Sequence, residues 1–438
     1  MFRLERPERE RDKTIPPSIV MIIIGVMTET PIGSLFLSGA VPGVMLGVGL
    51  VGMSLYLSIK RGYPRSDRRA SLGEIVRDLA AELGQNPRIA RIYADMDRTR
   101  LKTGLAAGKV QQFDHPEALT AAAIDRSAHI VAQMGVEPII QALKGGADII
   151  IAGRAYDPAV FAALPILEGF DPALAFHMGK VLECGAYACE PSSAADGMLA
   201  TLREDHFVLE PLSPEMRCTP VSVAAETMYE KESPVHFHFP GGMIDLSETR
   251  FEALSDREVR VSGTSFTKAE TYTIKLEGAA HVGYRSLFTA GARDPIFIER
   301  LDEIIAKTHE RLRERVNHPP EDYTFIVRVY GRDGVMGANE PVRDIASHEI
   351  GIVGEAVAKT QDIAHEIASY AHGVMLHYNY TGRKTTAGNL AFPYSPSDFD
   401  VGEVYEFNIY HLLELDDPNE VFSVKFETVD TVPLPEAV

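Results

Sequence analysis

Apolar and polar positions alternate in three different ways along the chain. Residues 15–28 are mostly apolar but are broken by Pro16-Pro17-Ser18 and Gly25, and the polar Thr28-Glu29-Thr30 follows. From Thr30 to Ile59 no residue is charged. One straight helix of that length would reach roughly 45 Å, well beyond the ~30 Å hydrocarbon core of a bilayer. Pro31 and Pro42 argue against a single rod, so a helix from about Leu35 or Gly39 to Ile59 is predicted, ending at Lys60-Arg61. Gly39, Gly43 and Gly47 recur every fourth residue, a spacing that lets a second helix approach closely in lipid. Basic residues flank both sides of the region, so both flanks prefer the cytoplasm, and a re-entrant hairpin followed by a helix satisfies that preference. The stretch is too long and too deep for a cleaved signal peptide. Residues 1–69 are therefore set apart as a short N-terminal transmembrane segment, touching the membrane through residues 15–60.

After residue 70 the pattern becomes that of a globular body. "ASLGEIVRDLAAELG" (70–84) has the spacing of an amphipathic helix, and "RIARIYADMD" (88–97) that of a strand. "PEALTAAAIDRSAHIVAQMG" (116–135) repeats with helical periodicity and ends on Gly135; "EPIIQALKGG" predicts a second helix. "ADIIIAGR" (147–154) is a β-branched run expected of a strand buried on both faces, and "DPAVFAALPILEG" returns at once to helix. This alternation predicts an α/β layer with a parallel sheet over 70–210. From about 211 to 438 the texture is strand-rich. "PVHFHF", "REVRVSG", "TYTIKLEG", "HVGYRSLFTAG", "DYTFIVRVYG" and "EIGIVGEAVAKT" read as strands, with helices at 293–316 and after 360. A second, α+β domain is predicted there.

Charge narrows the partners. The net charge is −19, and the acidity lies after residue 85. Such a body lacks the basic stripe that neutralises phosphates, so no nucleic-acid partner is expected. The three cysteines, Cys184, Cys189 and Cys218, form no CxxC pair and indicate neither a disulfide framework nor a tetrahedral zinc site.

Three stretches carry candidate chemistry. In "IIIAGRAYDPAVF", Gly153, Arg154 and Asp157 fall between the carboxyl end of a strand and the start of a helix, where parallel sheets bind ligands. Arg154 there suits a carboxylate or phosphate, although Asp157 as a helix cap and Arg154 as an ion pair would explain the same residues. In "PVHFHFPGG", His236 and His238 share one face of a strand. With no third ligand nearby, no metal centre is expected. The loop "HYNYTGRKTTAGNLAFPYSPSDF" (377–399) is the richest. His377 with Asp398 is the candidate acid–base pair, and Arg383, Lys384, Asn389 and Ser397 are candidate substrate contacts. Cys184 beside Glu183 reads as a buried, inert thiol. No P-loop, GxSxG elbow, GxGxxG or HExxH occurs, and the cofactor is unknown.

Two resemblances add to this reading. "IPPSIVMIIIGVMTETPIGSLFLSGAVPGVMLG" with "KRGYP" resembles part of the large membrane subunit of tripartite (TRAP-type) dicarboxylate transporters, over about residues 14–80. A fragment of this size lacks the paired repeats of alternating access. "VAQMGVEPIIQALKGGADIIIAGRAYDPAVFAALPI", "GKVLECGAYACEP", "FPGGMIDLS" and "GRKTTAGNLAFPYSPSDF" resemble, in order, the acyclic terpene utilisation (AtuA) family, over about residues 86–425. That family implies a bacterial catabolic role on branched acyl or hydroxy-acid substrates, often as CoA thioesters. It supplies no catalytic residues to carry over. Its usual glycine-rich opening strand–turn–helix is missing here, with the transporter-like segment in its place. The expectation is a truncated catabolic enzyme, of lyase or hydratase type, fused to a permease fragment. Its partners would be a small acidic or acyl substrate and further copies of itself. It would sit at the bacterial inner membrane with its body in the cytoplasm, or be cytoplasmic if the segment does not insert. The alternatives are a non-catalytic membrane-tethered binding protein and a dicarboxylate transporter component.

Overall fold

In the computed structural model, residues 72–193, 196–231, 233–342 and 347–428 are described. Met1–Leu79 form one unit and Ala80–Val438 another. The predicted membrane segment, residues 15–60, lies outside the described residues. Among the described residues no helix is long and apolar enough to cross a membrane. The helix expected at 70–84 runs Leu72–Glu82.

The unit from Ala80 onward is a mixed α/β structure organised by one 21-residue strand, Tyr272–Ala292. Its side chains alternate between buried and partly exposed along most of its length, as a strand covered on one face requires. The sequence pattern predicts two strands here, 271–278 and 281–291. They are one, bent by bulges near Gly278, Gly283 and Ser286. Gly283 holds φ +148, and a side chain there would strike the Ala358 carbonyl. The bend lets the first half of the strand serve one core and the second half another. In the first core Ile274 and Leu276 pack with Ile130, Ala132, Ile409 and Leu413. In the second, Phe288 and Ala292 pack with Phe325, Ile350 and Ile352 under the helix Gln361–His377, which contributes Ile367, Ala371 and Met375.

Around this strand the large sheet runs Tyr323–Tyr330, Ile350–Ala358, Tyr272–Ala292, Asp398–Leu415, Val110–Gln112, with Ser127–Gln133 also pairing to the long strand. All of these pairings are antiparallel. A three-stranded sheet sets Arg88–Tyr93 between Ser423–Thr428 and Ile149–Ala152, and only the second of these pairings is parallel. A four-stranded antiparallel sheet, with the helices Pro172–Leu182 and Pro220–Met228, encloses a third core around Phe207, Leu209, Val259 and Val261. In it His177 is wholly buried between the Thr227 and Thr264 hydroxyls, and burial pushes its imidazole down to about 3, so it stays neutral.

Four sequence expectations are corrected. The helix read over 116–135 is a helix only at Ala121–Arg126; Ser127–Gln133 is a strand registered against Ala280–Lys275. Long-range pairing overrides the local periodicity there, because Ile130 and Ala132 bury on one face of the sheet. The run 147–154 is a strand only at Ile149–Ala152, and its isoleucines are half-buried. Its one ladder among the described residues is to Arg88–Tyr93, which leaves it at an edge. Parallel pairing, expected throughout 70–210, is confined among the described residues to that ladder and the Met134–Ala155 bridge. The helix expected at 293–316 is divided into Pro295–Glu299 and Leu301–Arg315.

Candidate functional site

At the carboxyl end of Ile149–Ala152 the chain makes a close crossing. The Gly153 amide donates to the Ile92 carbonyl at 2.8 Å, and a Cβ on Gly153 would lie 2.8 Å from the Ala94 Cβ. Glycine is required by that approach. The following residues are tied to Met134: its amide donates to the Arg154 carbonyl at 3.1 Å, and the Tyr156 amide donates to the Met134 carbonyl at 2.8 Å. Tyr156 caps the helix Asp157–Leu167, and Asp157 is its first residue. The structure brings Arg154 and Asp157 together. Arg154 donates through Nε to Glu277 Oε2 at 2.8 Å, through Nη2 to Glu277 Oε1 at 3.3 Å and through Nη1 to Asp157 Oδ1 at 3.3 Å. This fork is already engaged by protein carboxylates, so Arg154 acts as an internal clamp on Glu277.

Glu277 in turn holds Lys275, whose Nζ is 3.5 Å from Glu277 Oε1 and donates to the Tyr410 hydroxyl at 3.1 Å. Lys275 is on the wall of a cavity of about 380 Å³. Its polar lining includes Gln133, Tyr156, Lys231, His236, His238 and Lys275. Phe113, Phe237, Phe239 and Leu412 supply apolar wall. Strand alternation explains the histidines: along His236–Phe239 the two imidazoles are on the exposed face and the two phenylalanines go into the core.

Lys231 reaches this cavity from the loop after Pro220–Met228. Its Nζ lies 5.0 Å from the Phe237 ring centroid and 5.5 Å from that of Tyr156, and it donates to the Tyr156 hydroxyl at 3.4 Å. Burial, reinforced by the nearby Lys180 cation, pushes its ammonium down to about 8. Glu183 and Glu230 act the other way, and Lys275 adds to the lowering. Behind the wall, Lys180 is 1% exposed and donates to Glu183. Burial pushes the Cys184 thiol up to about 11, with Glu226 adding to the effect, so Cys184 is no ready nucleophile. Cys189 and Cys218 face each other across two short strands as free thiols, Sγ to Sγ 3.7 Å.

The 377–399 region is arranged differently from its linear order. Asp398 is 3.3 Å from His372 and 3.6 Å from His365, and His365 also lies 2.9 Å from Asp400. Burial alone would raise Asp398, but hydrogen bonds from Ser397 and Ser369 and the charges of His372 and His365 hold it below the usual carboxylate range. His365 and His372 are seven residues apart on one helix and share a face; His377, five residues further, is turned about 140° away. With His365 and Ser369 it lines a groove of about 1090 Å³ between Leu301–Arg315 and Gln361–His377, and Asp398 is not among the residues of its wall. Asn389 is buried and donates through Nδ2 to the Met375 and Tyr378 carbonyls at 3.0 and 2.8 Å, closing the helix C-terminus. Arg383 has its Nε buried without a hydrogen-bond partner among the described residues, and Lys384 is exposed. Ser397 donates to Asp398 Oδ1 at 2.8 Å.

Sequence reasoning missed Lys231, Lys275, Glu277, His365 and His372. No motif marks the lysines, which are 44 residues apart and meet only through tertiary packing. The His365–His372 spacing on a predicted helix was a readable signal.

Comparison with known proteins places most of the body. The acyclic terpene utilisation family protein AtuA matches residues 69–204 and 205–393. The chain belongs to the AtuA family. The tripartite ATP-independent periplasmic transporter DctM component matches residues 12–85. Both resemblances read from the sequence are therefore borne out. Over that N-terminal stretch the chain is 45% identical, across 58 residues, to the sialic acid TRAP transporter large permease protein SiaM of Vibrio cholerae, covering 13% of this chain and 14% of that protein. It is 54% identical across 37 residues to the C4-dicarboxylate TRAP transporter large permease protein DctM of Pseudomonas aeruginosa, covering 8% of this chain and 9% of that protein. The ectoine TRAP transporter large permease protein TeaC of Halomonas elongata is 45% identical across 60 residues, 14% of each chain. The chain thus spans about a seventh or less of the length of these relatives. No solved structure matches the chain.

Proposed function

We propose that this AtuA-family chain serves the catabolism of acyclic terpenes as an enzyme that takes a branched acyl or hydroxy-acid substrate into the cavity between Lys231, Lys275 and the His236–His238 pair. The observation that carries the reading is the composition of that cavity. Two lysines and two histidines converge on it, against Glu230 as its one acidic lining residue, while aromatic and aliphatic side chains form most of the remaining wall, with Gln133 and Thr273. Such a surface suits a molecule with an anionic or polar end and a branched hydrocarbon body. A volume of about 380 Å³ is at the small end of ligand sites, so an acyl chain would enter and the carrier of a thioester would stay outside. Arg154 contributes by holding Glu277, and through it Lys275, in place. The acid–base role first assigned to His377 and Asp398 passes in this reading to the cavity groups.

The transporter-like segment supports a link to the bacterial inner membrane with the body on the cytoplasmic side. It also supports a second reading, a non-catalytic membrane-tethered binding protein or a transporter component. Calorimetric titration of the full chain with citronellate, a branched terpenoid acid, tests the cavity. Binding that Lys275→Gln weakens at least tenfold supports it, and undiminished binding in that variant sinks it. Turnover then separates enzyme from binding protein, and recovery in the membrane fraction that disappears on deleting residues 15–60 tests the anchor.

A further inference from the structure

We infer that Lys231 is an amine nucleophile that captures the carbonyl group of an aldehyde or ketone in this cavity as a Schiff base. The inference rests on the cavity reading above and deepens it by naming a carbonyl substrate class. Three lysines meet at this corner of the fold, and they are not equivalent. Lys180 is paired with Glu183 and Lys275 with Glu277. Lys231 faces the cavity with no ion pair to a carboxylate among the described residues; its amine sits against the Tyr156 and Phe237 rings, with the Tyr156 hydroxyl as hydrogen-bond partner. A lysine serving only to neutralise a protein carboxylate would not be placed so. Desolvation beside other cations is also the environment that frees a lysine amine for attack. With its ammonium held at about 8, roughly one tenth of Lys231 is neutral at pH 7.

The backbone adds an independent sign. Glu230, immediately before Lys231, has φ +57, the one non-glycine residue in the left-handed region among the described residues. Backbone strain of this kind costs about 1–3 kcal/mol and gathers where side chains must be aimed. The step balances without an added oxidant or reductant. The neutral amine adds to the carbonyl carbon, the π pair moves to oxygen, and a proton passes from nitrogen to that oxygen. The carbinolamine C–O bond then breaks, the hydroxyl leaves as water with one further proton, and the nitrogen lone pair closes the C=N bond. Loss of the remaining proton from nitrogen gives the neutral imine and returns to solvent the proton that left with the water. Burial and the neighbouring Glu183 and Asp157 charges push the Tyr156 phenol upward, so it remains a hydrogen-bond donor for the departing oxygen.

The test incubates the full chain at pH 7 with citronellal, an acyclic terpenoid aldehyde, and cyanoborohydride, followed by peptide mapping. Lys231 is expected to be alkylated about tenfold faster than the exposed Lys384 or Lys144, and excess citronellate to suppress that labelling. Lys231→Arg keeps the charge and is expected to form no adduct in this segment; Lys231→Met serves if the arginine variant does not fold. Labelling of Lys231 no faster than of Lys384 overturns the inference. If citronellate binding persists in that case, the Schiff base alone has failed; if it is also absent, the cavity reading has failed with it.

Discussion

Replacing Lys231 by methionine should stabilise the fold at neutral pH. The ordinary lysine value is 10.5, and in the fold it falls to about 8. At about 1.4 kcal/mol per pH unit this is a penalty of about 3 kcal/mol on the folded, protonated protein. The sign follows from the direction of the displacement. The folded state binds the proton more weakly than the unfolded chain, so the penalty is fully present below pH 8. It shrinks as pH rises from 8 towards 10.5 and is absent above. Methionine keeps the length of the side chain without the charge. It also forfeits the contacts with the Tyr156 and Phe237 rings, worth about 0.5–2 kcal/mol, and a hydrogen bond worth about 1. A net gain of about 1 kcal/mol is expected at pH 7, decaying and reversing by pH 10. Urea unfolding midpoints of the parent and variant chains, compared in one buffer series from pH 7 to 10, measure this. A difference that does not change with pH, or a variant less stable than the parent at pH 7, would refute the reasoning.

Three further outcomes follow from the packing. Gly354→Ala sets a Cβ into the Phe288 ring, which is wholly buried, and should cost about 1–3 kcal/mol by overpacking, read from the shift in the thermal midpoint. Asn389→Ala leaves the Met375 and Tyr378 carbonyls without their side-chain donor and should cost about 1–3 kcal/mol, with faster amide exchange in the last turn of Gln361–His377. With its thiol pushed up to about 11, Cys184 should react with iodoacetamide at pH 7 roughly a hundredfold more slowly than an unperturbed cysteine, and at an ordinary rate once the chain is unfolded in urea.

Much of the fold was legible because its elements bury one face. "EIGIVGEAVAKT" became Ile350–Ala358, "DYTFIVRVYG" became Tyr323–Tyr330, and the helix after 360 runs Gln361–His377. The failures share a cause. "SAHIVAQ" continues a helical pattern locally, yet pairs with a strand more than 140 residues away, and no local signal carries that pairing. "ADIIIAGR" looked like a strand buried on both faces because composition does not say how many neighbours a strand has. The site was legible only in part. The turn after Ile149–Ala152 was found from its position at a strand end, and Arg154 and Asp157 do meet there. The lysines that face the cavity come from a loop and from the long strand, and their convergence is a property of tertiary structure.

The proposed function requires a branched acid to enter the cavity bounded by Lys231, Lys275 and His236–Phe239. Hydrogen–deuterium exchange of the full chain, with and without saturating citronellate, tests that most directly. Slowed exchange is expected in segments 231–245 and 269–277, with the helix Gln361–His377 and the loop after it unchanged. Protection confined to that helix and loop, or no protection anywhere at saturation, would contradict it.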